Sequence, residues 1–311
     1  MKAVVYKRYG GSEVLQLTSV ADPLPKENEI LIKVYATDVS AADCRFRKAD
    51  PWVIRLINGL FRPTKVQILG GDVAGIVKAV GSNVRHYKVG DAVFASCGLQ
   101  FGGYAEYVAL PENSLISMKP KNTTFIEAAT VPSNSVTALR FLNSAGIKKG
   151  QKILIYGASG SVGTFAVQIA RILGADVTGV CSTKNIELVK SLGAHEVLDY
   201  TKQDFSQLSG QFDIVFDAVG KAKKSACKRM LKPGGKFVTV NDLRNKGTGE
   251  LREIKEFIRQ GKLQTVIDRE YTLEQIVEAH TYVDKGHKKG NVAIRIFKEL
   301  LVTKTTEEIT I

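Results

Sequence analysis

The 311-residue sequence has little cysteine and no long apolar run. Its four cysteines, Cys44, Cys97, Cys181 and Cys227, are far apart and lack the close spacing of metal ligands. We interpret them as reduced thiols, which predicts a cytoplasmic location. No apolar run approaches the ~20 residues of a membrane-spanning helix, so we expect no membrane partner. The opening residues, MKAVVY, are typical of a strand and lack the apolar core of a signal peptide.

Acidic residues are in the minority: 31 Asp and Glu stand against 44 Lys and Arg, giving a formal net charge of +13. Such a charge can attract anionic ligands or nucleic acid, or it can reflect only a solvated, lysine-rich surface, which we favour. The most basic stretch, residues 221–232, predicts a helix that buries Ala222, Ala226 and Met230. Aromatic residues interleaved with basic ones, as in RNA-binding surfaces, are not evident. We therefore do not expect nucleic acid as a partner.

The chain is mostly extended up to about residue 120, where short apolar runs alternate with glycine-containing turns. This pattern predicts a partly open β-barrel. Residues 50–57, which include the only tryptophan, Trp52, interrupt the pattern. They predict a short helix, a flap on the substrate side, or a hydrophobic staple for a long loop. The predicted strands are 3–5, 14–17, 30–35, 73–80, 92–95 and 104–108.

Strands and helices alternate regularly after about residue 122, which predicts a parallel sheet with right-handed crossovers. The polar run 241–249 cannot form a buried strand, so we expect five strands instead of six. The segment from 263 predicts a short strand at 266–267, a helix at 272–284 and a strand at 292–297 that return to the first domain, with a frayed tail over 298–311. The domains would then be 1–122, 123–262 and 263–311. The predicted strands of the parallel sheet are 152–156, 176–180, 196–199, 213–217 and 236–240; the predicted helices are 133–142, 161–173, 184–192, 202–208, 221–231 and 250–260.

The run GASGSVG, residues 157–163, follows a buried strand and opens a helix. A helix N-terminus presents unpaired N–H groups and a partial positive charge, so this turn predicts a pyrophosphate site. Gly160 would let the backbone approach the phosphates, and Gly163 would let the helix lie close to its strand. Ala158 stands where such fingerprints usually have their first glycine. The alternative is a tight turn whose glycines serve packing alone.

The second strand of this unit carries no acidic residue between Val177 and Ile186. An NAD-binding site usually has an Asp or Glu there for the ribose hydroxyls. Here the strand ends in Ser182, Thr183 and Lys184, whose hydroxyls and ammonium suit a 2′-phosphate and predict NADPH over NADH. These hydroxyls could instead cap the following helix.

Six motifs in order along nearly the whole chain resemble the medium-chain dehydrogenase/reductase superfamily, in its zinc-free quinone oxidoreductase or ζ-crystallin-like branch. The resemblance implies an α/β architecture with a GroES-like β-barrel domain and a Rossmann doubly wound parallel sheet. Zinc members carry a cysteine where this chain has Ser40, and a His-Glu pair where it has Gly71-Asp72. We read all four histidines as surface or turn residues, and we expect no metal. The motifs are GGDVAG (70–75), GGYAEYV (102–108), the turn 157–163, LGA with LDY (192–200), LKPGGK (231–236) and KGNV (289–292).

The resemblance further implies hydride transfer from NADPH to a quinone or to an α,β-unsaturated carbonyl. Ser40 and Asp43 would face the cleft and bond a developing oxyanion or order water, and Tyr104 would contribute; Asp43 could equally be structural. No proton donor is assigned. The expected cofactor contacts are Thr137, Ala158, Ser159, Gly160, Ser161, Val162, Gly163, Ser182, Thr183, Lys184, Tyr200, Val219, Val240 and Asn291, the last replacing a lysine common in the family.

Two alternatives to this enzyme remain open. One is an NADPH-binding ζ-crystallin-like protein that serves RNA or a protein partner, and the other is a zinc-free reductase of alcohol dehydrogenase type. Because the sixth strand commonly pairs across a dimer interface in relatives, its absence predicts a monomer, or a homodimer formed through another surface.

Overall fold

The computed structural model describes residues 1–202, 208–242 and 249–298. Its strands, in chain order, are β1 (Lys2–Val5), β2 (Gln16–Ser19), β3 (Glu29–Asp38), β4 (Asp72–Val80), β5 (Ala92–Ser96), β6 (Tyr107–Pro111), β7 (Leu115–Met118), β8 (Lys152–Tyr156), β9 (Asp176–Cys181), β10 (Glu196–Asp199), β11 (Phe212–Asp217), β12 (Leu231–Thr239), β13 (Ile267–Thr272) and β14 (Asn291–Arg295). Its helices are α1 (Ala41–Lys48), α2 (Ile54–Asn58), α3 (Phe125–Ala129), α4 (Pro132–Ala145), α5 (Ser161–Ile172), α6 (Ile186–Ser191), α7 (Lys224–Met230), α8 (Gly249–Arg259) and α9 (Ile276–Asp284).

A seven-stranded sheet in the order β13-β14-β3-β4-β5-β7 forms the barrel-like part, with β6 also paired to β3. The return of the chain end is visible in this sheet, because β14 pairs antiparallel with β3. Along β3 the even-numbered residues from Ile30 to Ala36 are fully buried, as expected for a strand with one face in a core. Strands β1 and β2 form a separate antiparallel pair.

The second sheet is parallel, with five strands in the order β10-β9-β8-β11-β12, and confirms the predicted count. Helices cover both of its faces: Ile153 and Ile155 of β8 lie in the core that contains α4 and α5, whereas Leu154 lies in the core beneath α7. This alternation is the mark of a doubly wound sheet. The α/β architecture predicted from the sequence is therefore confirmed.

Edge strand β12 begins earlier than predicted. Its pairing with β11 is irregular, because Phe212 pairs with Leu231 whereas Ile214 already pairs with Lys236. The intervening residues include Pro233, which cannot donate a ladder hydrogen bond and is tolerated only at an edge or a bulge. The predicted helix at 202–208 lies largely outside the described residues, as does the predicted frayed tail beyond residue 298.

Several element boundaries differ because short turns replace the ends of predicted elements. The strand predicted at 14–17 is Gln16–Ser19 and follows a 3₁₀ turn at Ser12–Val14. The strand predicted at 104–108 is Tyr107–Pro111. The helix predicted from 272 starts at Ile276, because a capping box at Thr272 encloses one 3₁₀ turn before it. Among the described residues, no helix is long and apolar enough to cross a bilayer.

Residues 50–57 form the short helix α2 together with a preceding turn. Trp52 does not act as a hydrophobic staple, because it is 66% exposed; of this segment Ile54 is the apolar residue that is buried. The four cysteines are free and buried.

Candidate active site

The turn between β8 and α5 has the geometry that its glycines predict. Gly160 is the N-cap of α5, and a Cβ placed on it would meet only Gly157 O, at 3.4 Å. A Cβ on Gly163 would lie 2.1 Å from Gly157 O, so no side chain fits there. The first-turn N–H groups of Ser161, Val162 and Gly163 have no acceptor within their own helix. Gly290 pairs with Gly160 on one side of the turn. The turn still combines an uncrowded Cβ position at Gly160 with the positive end of a helix, and it fits a phosphate group.

Ala158 and Ser159 both make contacts inside the protein. Ala158 is fully buried and its N–H donates to Val180 O at 3.0 Å, so its side chain belongs to the core. The Ser159 hydroxyl accepts from Asn185 Nδ2 at 3.0 Å. Val219 covers the turn, since a Cβ on Gly157 would meet its Cγ2 at 1.9 Å.

Ser182, Thr183 and Lys184 follow the end of β9, where the adenosine end of a dinucleotide would lie. Ser182 is half-buried, and Thr183 and Lys184 are exposed. The capping interpretation does not hold, because no side chain caps the 3₁₀ turn Thr183–Asn185 or helix α6. The Ser182 hydroxyl instead accepts from Asn185 Nδ2 at 3.3 Å, and the Lys184 side chain extends into solvent.

Sequence reasoning missed an acidic residue at this end of the site. Asp199 lies opposite Cys181 because β10 pairs parallel with β9. It accepts from the Thr183 hydroxyl at 2.5 Å and from Thr201 N at 2.9 Å. The Thr183 hydrogen bond holds the pKa of Asp199 below its usual range. Tyr200 follows it and is 51% exposed.

Lys288 is a second residue that the sequence did not single out. Its Nζ contacts Ser161 Oγ, in the first turn of α5, and donates to Gly290 O at 2.7 Å. Both acceptors are neutral, so neither cancels the positive charge. Burial lowers the pKa of Lys288 to about 8, while Asp38, Asp268 and Cys44 oppose that change. The structure therefore places an ammonium beside the glycine turn at 157–163.

Asn291, where the resemblance implies a lysine in many relatives, is directed inward. It is 1% exposed. Its Nδ2 donates to Thr265 Oγ1 at 3.2 Å, and its Oδ1 accepts from Asn134 Nδ2 at 3.3 Å. The amide thus ties β14 to α4. Thr137, one turn further along α4 from Asn134, is half-buried, and Val240 lies just past the end of β12.

Ser40 and Asp43 form the N-terminal capping box of α1. Asp43 is fully buried and accepts from Ser40 Oγ at 2.5 Å, from Ser40 N at 2.8 Å and from Gly70 N at 2.8 Å. Burial raises the pKa of Asp43 although these hydrogen bonds oppose it. The expectation that Asp43 faces the cleft is corrected: its carboxyl is enclosed and orients half-buried Ser40. The two Ser40 donors are those of a capping box, and Gly70 N, 27 residues away, adds the contact that encloses the carboxyl.

Tyr104 is also enclosed, and it contacts His280, which was predicted to be a surface or turn residue. His280 is fully buried on the inner face of α9, whereas His86, His195 and His287 are exposed as predicted. The distance from His280 Nε2 to the Tyr104 hydroxyl is 3.0 Å.

The other ring nitrogen, His280 Nδ1, accepts from Arg47 Nη1 at 2.8 Å. Burial and the Arg47 charge lower the pKa of His280 to about 3, so the ring is neutral. These partners are far apart in the sequence, which left no local signal for the network. Tyr104 therefore has a neutral hydrogen-bonded partner and no exposed surface.

Asp72, at the position where zinc members carry the second residue of a His-Glu pair, binds a helix instead. It accepts from Ser133 N at 2.7 Å and from Ser133 Oγ at 2.5 Å, at the N-terminus of α4. Burial raises its pKa to about 7. Within residues 1–202, 208–242 and 249–298, no three His, Cys, Asp or Glu side chains are grouped to hold a metal ion.

Comparison with known proteins gives consistent matches along the chain. Residues 26–120 match the family described as alcohol dehydrogenase GroES-like domain, and residues 161–268 match that described as zinc-binding dehydrogenase. The chain is 36% identical to 2-methylene-furan-3-one reductase of Solanum lycopersicum, over 94% of this chain and 79% of that protein. It is 34% identical to the chloroplastic NADPH-dependent alkenal/one oxidoreductase of Arabidopsis thaliana, with the same coverage. The solved quinone oxidoreductase of Coxiella burnetii superposes with a TM-score of 0.84 at 28% identity, covering 96% of this chain and 99% of the other.

Proposed function

This chain belongs to the medium-chain dehydrogenase/reductase superfamily, in its zinc-free quinone oxidoreductase branch, and from that premise we propose that it uses NADPH to reduce a quinone or an α,β-unsaturated carbonyl. It is an oxidoreductase with a nicotinamide cofactor. The choice of NADPH and the roles of individual residues are our proposal. The observation that carries it is the N-terminus of α5 at Gly160, where a Cβ would meet only Gly157 O, together with the exposed Lys184 side chain at the end of the neighbouring strand.

The residues that would hold the cofactor divide into two groups. The N–H groups of Ser161 to Gly163 and the ammonium of Lys288 would bind the pyrophosphate, and Lys184 with Ser182 would bind the 2′-phosphate. Bound there, a reduced nicotinamide supplies a hydride to an electrophilic carbon or to a quinone. Thr137, Tyr200, Val219 and Val240 would border the rest of the dinucleotide.

Ser40 is the residue that we assign to the acceptor side. Its hydroxyl is half-buried and is positioned by Asp43, which is a positioning residue and not itself a donor to substrate. Tyr104 acts one step further away, by fixing His280 and through it Arg47, which belongs to α1. We expect such a site to act by positioning an acceptor that already takes up hydride readily, more than by acid-base chemistry.

The test is oxidation of NADPH and NADH by the purified protein with a panel of quinones and 2-alkenals, followed together with cofactor binding. Two hydrogen bonds to the 2′-phosphate would favour NADPH by about a hundredfold in Kd. A protein that binds neither cofactor refutes the proposal. Tight NADPH binding without turnover of any acceptor would favour a binding protein instead.

We also propose a domain division, an oligomeric state and a location. We take 1–122, 123–262 and 263–311 as the domain units. Edge strand β12, which carries Lys232, Pro233 and Lys236, has the charges and proline that hinder strand pairing, so we propose a monomer or a dimer formed elsewhere. The four free, buried cysteines support a cytoplasmic location.

A further inference from the structure

Six apolar side chains in and beside α2 are exposed to an unusual degree. Exposed apolar residues are normally scattered singly, and a contiguous group marks an interaction surface. We call this group the α2 patch. It consists of Trp52 (66% exposed), Val53 (44%), Leu56 (61%), Ile57 (50%), Leu60 (52%) and Phe61 (85%).

Hydrogen bonds to the rest of the protein fix the segment that carries the α2 patch. Asn58, in the last turn of α2, is fully buried; its Nδ2 donates to the Tyr6 hydroxyl at 2.9 Å and its Oδ1 accepts from Val66 N at 2.7 Å. The Tyr9 hydroxyl donates to Gly59 O at 2.7 Å. The segment is therefore anchored through its polar groups while its apolar groups face outward.

The surroundings of the patch are basic. Residues 51–68 contain three basic residues, Arg55, Arg62 and Lys65, and no acidic one. Arg62 and Lys65 are exposed, and Arg55 lies 5.0 Å from the centre of the Tyr9 ring. Lys7 and Arg8, on the loop that leads to Tyr9, are exposed as well. Cations thus flank the apolar side chains.

This combination decides between possible occupants. A second copy of the chain would bring like charges together, and each copy carries a net charge of +13. An anionic lipid surface, in contrast, attracts the cations and accepts the apolar side chains at the boundary between headgroups and acyl chains. We propose that the α2 patch docks this protein on an anionic membrane surface, with Trp52, Leu56 and Phe61 inserted.

Such docking departs from the expectation of no membrane partner, which rested on the lack of a spanning run, because a patch lies on the bilayer without crossing it. Both ends of the segment lead to the candidate active site: Lys48 ends α1, and Gly70 donates to Asp43. An acceptor that dissolves in lipid, such as a quinone with an apolar tail, is then the expected substrate class. This last step rests on the proposed function, whereas the docking does not.

Trp52 is the only tryptophan in the chain, so its fluorescence reports on the patch alone. The full chain is titrated with vesicles of phosphatidylcholine, with or without phosphatidylglycerol, and binding is also measured by co-sedimentation. We expect a blue shift of Trp52 emission and co-sedimentation with the anionic vesicles, both reduced by added salt. Phe61→Ser should lower the partition coefficient about tenfold or more, and Arg62→Gln and Lys65→Gln about fivefold each.

Leu24→Ser is the matched control, because Leu24 is 86% exposed but lies outside the α2 patch. It should bind vesicles as the parent does, and thermal melting should show that all variants are folded. Equal binding by Phe61→Ser and the parent overturns the proposal, as does the absence of any response to anionic vesicles. A dimer in light scattering that Phe61→Ser dissociates would assign the patch to a second copy and overturn it too. NADPH binding is measured in the same samples, so failure of the proposed function is seen separately.

Discussion

The two lysines assigned to the cofactor should differ in a measurable way. Lys288 lies at the glycine turn 157–163, where its ammonium contacts Ser161 Oγ, and Lys184 follows the end of β9. Every dinucleotide has the pyrophosphate, but only the phosphorylated one has the 2′-phosphate. Lys288→Met should therefore weaken binding of NADPH and NADH by the same factor. Lys184→Met should weaken binding of NADPH alone.

The size of each effect follows from the contact that is lost. A hydrogen bond to a charged group contributes about 1.5–3 kcal/mol, which corresponds to about 10- to 100-fold in Kd. Lys288 should reach the upper part of that range because it is half-buried, whereas the exposed ammonium of Lys184 is screened by solvent and should fall in the lower part.

Cofactor fluorescence titrations of the parent and both variants measure these Kd values directly, without turnover. Lys289→Met is the matched control, since the Lys289 side chain is exposed on the neighbouring position. Because the pKa of Lys288 is lowered to about 8, parent binding should weaken as pH rises through that value, and Lys288→Met should not respond. Lys288→Arg keeps the charge and should restore most of the affinity. Unchanged affinity in Lys288→Met, or a loss confined to NADPH, would refute the assignment.

Three further predictions concern the framework of the site. Gly163→Ala should destabilise the protein by about 1–3 kcal/mol, because the added Cβ meets backbone atoms. Gly160→Ala should keep the melting temperature of the parent and bind the dinucleotide more weakly. Thermal melting and cofactor titration of both variants test this difference. As the pH is lowered from 6.5 to about 3, the unfolding free energy should fall by up to about 1.4 kcal/mol per pH unit, because His280 binds a proton in the unfolded state but stays neutral when buried. Denaturant titrations measure this dependence, and an unchanged slope of unfolding free energy against pH in His280→Gln would contradict it. Ser133→Ala removes one donor to buried Asp72 and should cost about 1–3 kcal/mol in denaturant unfolding, and Ser133→Thr should recover part of it.

Patterns that repeat over a few residues were sufficient for the architecture. The alternation after residue 122 predicted five parallel strands, since a strand and the helix that follows it are both encoded locally. The run 157–163 likewise predicted a turn at which Gly160 is open and Gly163 is closely packed. Boundaries were less accurate where a capping box or a bulge, as in β12, changed the end of an element.

Side-chain surroundings could not be read in the same way, because their partners come from distant parts of the chain. His280 was predicted to be a surface residue, yet Tyr104 and Arg47 meet it from positions 176 and 233 residues away. Asp199 reaches Thr183 only because two strands pair. The helical spacing of Ile276 and Val283 places His280 on the buried face of α9, but nothing near it in the sequence indicates its partners.

Local patterns in the sequence thus fix the five parallel strands, the glycine turn at 157–163 and the family, because hydrophobic period and glycine spacing act over short distances. Packing between distant segments, in contrast, makes Asp43 a buried cap, brings Lys288 beside α5 and leaves the α2 patch exposed. Burial and charge environment depend on which segments meet, and that is fixed by packing across the whole chain.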